Sequence, residues 1–284
     1  MNTRITLICM LLACMTSLGA DVATTPEQAA EYSRSARELL AQGDFDGALD
    51  QLGAAAKADP KHTEHRRELA VLRAVIRARE SIVSEVDAAR WEQLARALRA
   101  YYHEHGIFGE ALELDGQLHA RLGTAESAAM LAESRLALKR NAAALETLGE
   151  FDASALTPRG RSLMALATAR LGRADDAARL VRECTDPGCA DAAVMFDLAC
   201  AHSLLGDQTA AANHLIAAFE HTPPSRLDAL KNLARRRADL KPLSQTDLFV
   251  PALATKSRVK ESGCSGGSSC GKCPSRGTCG GNQK

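Results

Sequence analysis

Aromatic residues are scarce in this chain, at 4% of 284 residues with a single tryptophan, and alanine and leucine dominate the apolar set. Both lose little side-chain freedom in a helix, so the mixture favours helices. Charge of one sign is also missing. Lysine and arginine total 35, aspartate and glutamate total 35, and the net charge is zero. That balance provides no long-range pull towards nucleic acid or an anionic membrane. No apolar run approaches the ~20 residues of a membrane helix. The chemistry-bearing motifs of common enzymes are absent too: no nucleophile elbow, no HExxH, no glycine-rich phosphate loop after a strand and no carboxylate dyad. The expectation is therefore a non-enzyme.

The first twenty residues carry a different message. Arg4 gives a positive start, Ile5 to Met15 form a short apolar run, and Ser17-Leu18-Gly19-Ala20 offers small residues for cleavage. This reads as an export signal over 1–20, predicting a periplasmic or secreted protein with no transmembrane segment once the signal is removed. Leu11-Leu12-Ala13-Cys14 also resembles a bacterial lipobox, which sets a membrane-anchored lipoprotein, lipidated at Cys14, as the alternative.

What the chain has in quantity is an internal repeat. Glycine is followed five residues later by alanine at Gly43/Ala48, Gly106/Ala111, Gly172/Ala177 and Gly206/Ala211. A fifth copy keeps Ala144 and puts Lys139 where the glycine belongs. Successive copies from Gly106 lie 33, 33 and 34 residues apart, and the 63 residues between Gly43 and Gly106 leave room for one decayed unit. Small residues let two helices approach closely. Glycine supports the tight turn between them. Pro60 and Pro223 stop the second helix of their units. A lone hairpin cannot bury its apolar face, so the units must stack.

This pattern resembles the tetratricopeptide repeat, a helix-turn-helix unit of about 34 residues, in an exported bacterial-type protein. Its small position in the first helix is met by Ala36, Ala132, Ala165 and Ala199. The resemblance implies an all-α superhelical solenoid of five to six hairpins over 21–225. A capping helix and closing segment would follow over 226–255, with Leu227, Leu230, Leu233 and Leu240 on one helical face and Asp239 to Leu243 and Asp247 to Phe249 closing the end. It also implies a partner groove lined by first-helix residues, here Ser33, Arg37, Arg96, His103, Glu133, Arg159, Ser162, Phe196 and Cys200. The lysine and asparagine clamp of some relatives is not visible at those positions.

Nine cysteines complete the inventory. Cys9 and Cys14 fall in the signal, and Cys200 reads as a small core residue. Cys184 and Cys189 flank a Pro-Gly turn, and in an exported chain they predict a disulfide. The segment 256–284 is rich in glycine and serine, which implies a flexible tail, and its cysteines run Cys264-x5-Cys270-x2-Cys273-x5-Cys279. These four suit two disulfides or a tetrahedral metal ion such as zinc or copper(I). Cys270 to Cys279 is similar to a stretch of iron–sulfur scaffold ATPases, but the chain has no phosphate-binding loop. His62/His65 and His103/His105 lack the spacing and further ligands of a zinc site. The sequence thus reads as a scaffold or adaptor that holds a protein or peptide in its groove. The alternative is a metal-handling or redox protein acting through the tail.

Overall fold

The computed structural model describes residues 25–184 and 191–260. Among these residues the chain forms fourteen α-helices and no strand. They are α1 Pro26–Ala41, α2 Phe45–Ala58, α3 Thr63–Ser84, α4 Ala88–His105, α5 Phe108–Leu122, α6 Ala125–Ala137, α7 Asn141–Leu148 and α8 Pro158–Arg170. There follow α9 Ala174–Glu183, α10 Ala192–Leu205, α11 Gln208–Glu220, α12 Pro224–Arg236, α13 Lys241–Ser244 and α14 Phe249–Leu253. A 3-10 turn, Ala238–Leu240, precedes α13. The signal with Cys14, the Cys189 half of the expected disulfide, and Cys264, Cys270, Cys273 and Cys279 lie outside the described residues.

Helix starts are written in short polar side chains. The Asp44 carboxylate accepts from Gly47 N at 2.9 Å, Asp87 from Arg90 N at 2.7 Å, and Asp207 from Ala210 N at 3.0 Å. Thr25 and Thr124 form reciprocal capping boxes with Gln28 and Ser127. Each satisfies an amide that the first turn would otherwise leave unpaired.

The hairpin turns follow the repeat. Gly43, Gly106, Gly172 and Gly206 all have positive φ, between 73° and 85°. Lys139, at the equivalent turn, also adopts positive φ, 60°, and is the one non-glycine residue among those described to do so. The turn geometry has outlived the glycine. The paired alanines do what the spacing demands. Ala36, Ala48, Ala111, Ala132, Ala144, Ala165, Ala177, Ala199 and Ala211 are all completely buried.

Two compact units divide within α5, one ending at Leu114 and one starting at Asp115. In the N-terminal unit, α1 and α2 form a hairpin, and α3 packs against α2 and α4. The decayed repeat is not a hairpin at all: α3 runs for 22 residues as a single helix. In the C-terminal unit, α6/α7, α8/α9 and α10/α11 stack in sequence. Ala132, Leu136, Leu148 and Leu163 form a core between the first two hairpins. Val181, Val194 and Leu198 belong to the core between the next two.

The closing segment corrects one expectation. A single helix from Leu227 to Leu240 is not formed, because α12 ends at Arg236 and Arg237 is extended. Leu233 is exposed while Ala234 is buried. The break lets Leu240 and Leu243 turn inward, where they join Phe196, Leu215, Phe219 and Phe249 in the last core. The fold class is otherwise as expected, all-α and built from stacked hairpins.

Candidate partner-binding face

The residues expected to line a groove go to different ends in the two units. In the C-terminal unit they are occupied by one another. The Arg159 guanidinium on α8 donates to Glu133 Oε1 on α6 at 2.6 Å, to the Ala193 carbonyl at 2.7 Å, and to Asp197 Oδ2, both on α10. The Ser162 hydroxyl lies 3.0 Å from the same Asp197 oxygen. First helices of three successive hairpins are thereby tied by one cation. Burial opposes the Arg159 charge, but Asp197 and Glu133 outweigh it and hold the group fully protonated. Burial pushes the Asp197 carboxyl up, and Arg159 offsets that only in part.

A second cluster closes the other end of that face. Arg170 on α8 grips Asp239 with both branches, Nε to Oδ1 at 3.0 Å and Nη2 to Oδ2 at 2.6 Å, and donates to the Leu136 carbonyl at 2.9 Å. Arg237 Nε adds a further bond to Asp239 at 2.8 Å. Burial would raise the Asp239 carboxyl, but the hydrogen bonds and charges of Arg170 and Arg237 hold it below its ordinary value. Phe196, Ser162 and Cys200 are buried, as core and support rather than surface. Burial pushes the Cys200 thiol up, so it stays protonated and inert.

The N-terminal unit is different. Ser33 is buried, its hydroxyl 2.9 Å from His65 Nδ1. Four residues on, Arg37 reaches from α1 to Glu68 on α3, with Nη2 3.1 Å from Oε1. Tyr101 and His105 on α4 lie in the same neighbourhood, their ring centroids 4.2 Å apart. Arg96 pairs with Glu92 one turn back on α4, at 2.7 Å. His103 packs its ring edge-on to Phe108 at the Gly106 turn, 5.7 Å between centroids. Neither joins the Arg37 cluster. Among the described residues no group of three or more His, Cys, Asp or Glu is placed to hold a metal ion. Cys184 is buried at the C-cap of α9.

Hairpin after hairpin, turn after turn at positive φ, alanine against alanine: the architecture is settled by these contacts. The fold is tetratricopeptide-like. No family model and no curated protein matches the chain. A solved tetratricopeptide repeat protein from Parabacteroides merdae ATCC 43184 is similar at 15% identity, over 80% of this chain and 98% of that one, with a TM-score of 0.37. At that score the superposition is loose, and the tetratricopeptide-like assignment rests on the helices themselves.

Sequence reasoning missed Glu68, Tyr101, Arg170 and Asp197; it named His105 only as a rejected zinc ligand and Asp239 only as the start of the closing segment. Their partners sit 31, 38 and 69 residues away in the pairs Arg37–Glu68, Arg159–Asp197 and Arg170–Asp239. No short motif links them. The usable signal was opposite charge about one repeat apart, as in Arg37 and Glu68.

Proposed function

We propose that this protein is an exported interaction scaffold that holds a protein or peptide against the face formed by α1, α3 and α4. Tetratricopeptide-like folds are in general non-catalytic platforms. The supporting observation is the contrast between units. The first-helix face of the C-terminal unit is filled by its own ion pairs and closing segment. That of the N-terminal unit carries an exposed arginine, a half-used carboxylate and the half-buried His105 ring, which packs on buried Tyr101. Export, and the Cys184–Cys189 clasp that it would allow, belong to this proposal. The neutral net charge argues against nucleic acid as partner.

Photo-crosslinking from the native compartment tests the reading. A benzophenone side chain at Arg37 or Glu104 should yield a discrete adduct, whereas one at Asp46 or Lys57, on α2, should not. Equal yields from both sets, or none from either, would contradict it.

The tail supports a second reading. Cys264, Cys270, Cys273 and Cys279 offer four sulfurs, enough for one tetrahedral zinc or copper(I) ion. Elemental analysis with thiol counting on protein purified from its native compartment decides it. One metal with reduced thiols supports metal handling, and oxidised thiols without metal remove it.

A further inference from the structure

The Glu68 carboxylate is only half used. Its Oε1 accepts from Arg37, while Oε2 is buried and has no hydrogen-bond partner. A carboxylate oxygen in that state carries a standing cost until a donor reaches it. The arginine serving the other oxygen is 64% exposed and makes a single bond rather than a fork. A pair of that kind is weak and readily exchanged.

The surroundings favour a positive guest. Burial, with the charges of Glu104 and Glu68 behind it, pushes the Tyr101 hydroxyl up to about 12, so the phenol stays neutral. Burial pushes the His105 imidazole down, so it too is uncharged near neutral pH. His105 is half-buried and Tyr101 is 9% exposed, so a cation that takes the place of Arg37 would lie against the rims of two neutral rings beside two carboxylates. Arg37 already occupies that place through its bond to Glu68.

We infer that this face binds an arginine side chain of an extended partner segment, with Glu68 receiving its charge, Tyr101 and His105 flanking its stem, and Arg37 serving as an internal stand-in that the guest displaces. A guanidinium suits the site better than an ammonium because its fork can satisfy both carboxylate oxygens at once. The inference rests on the scaffold reading and gives that face a ligand chemistry.

The test uses the full chain and a capped, fluorescent seven-residue peptide of alternating glycine and arginine, with a glutamate version as control. Fluorescence anisotropy should show binding of the arginine peptide alone. Glu68→Gln, which keeps the shape and removes the charge, should weaken it about tenfold. Arg37→Ala should tighten it several-fold by removing the competitor, with thermal melts showing both variants folded. No binding, an indifferent Glu68→Gln, a weakened Arg37→Ala or a preference for glutamate overturns the inference. If the peptide fails while crosslinks at Arg37 and Glu104 persist, the arginine site is wrong and the scaffold stands. If both fail, both readings fall.

Discussion

Lys139 shows how a repeat drifts without losing its geometry. An L side chain at positive φ costs about 1–2 kcal/mol, and glycine avoids that at some cost in unfolded-chain entropy. Lys139→Gly should therefore stabilise the C-terminal unit by about 1 kcal/mol in urea unfolding. No change would mean that the lysine is unstrained there. The opposite change, Gly172→Ala, should cost a similar amount, since Gly172 sits at φ 73°. Arg159 is the more demanding residue. Removing it leaves Asp197 buried beside Glu133 without its cation, and Arg159→Ala should destabilise by about 3 kcal/mol. A loss comparable to that of a surface pair would show that the network is solvated.

The elements differ in how well the sequence announced them. Hairpin turns and packing alanines were legible because each needs a particular residue type at a fixed spacing. The end of α12 was not. Leu227 to Leu240 keeps a helical spacing, yet tertiary burial of Leu240 and Leu243 overrides it. Single-helix α3 was hidden for the opposite reason: uninterrupted helix formers fit one long helix or a decayed hairpin equally well. The candidate face was legible only at Ser33 and Arg37, because ion pairs between helices depend on helix lengths that spacing alone does not fix. The closing segment should be indispensable to its unit. Leu243→Ala, at a completely buried position, should cost about 2–5 kcal/mol.

Asp239 adds a pH dependence to that segment. Its folded-state pKa lies below the ordinary 3.8, so its contribution is fully present above 3.8 and is lost as pH falls through the lowered value. The stability gap between the native chain and Asp239→Asn should be wide at about pH 7 and should close at acid pH. A gap that stays constant would place the role of Asp239 in packing rather than charge.

At the scale of the whole molecule, two tetratricopeptide-like units share one chain but expend their polar residues differently. The C-terminal unit uses Arg159, Arg170 and Arg237 to hold itself together. Among the described residues, its partnerless buried side-chain atoms are Arg161 Nε and Gln208 Oε1. The N-terminal unit ties α3 to Tyr102 and Glu110 through Arg79, yet leaves Arg37 64% exposed and a Glu68 oxygen without a donor. That division is the physical basis for assigning partner capture to α1, α3 and α4. Hydrogen–deuterium exchange on the full chain, with and without the partner recovered by crosslinking, tests it directly. Slowed exchange concentrated in α1, α3 and α4 is the predicted result. Protection confined to α6, α8 and α10, or spread evenly over the chain, would contradict it.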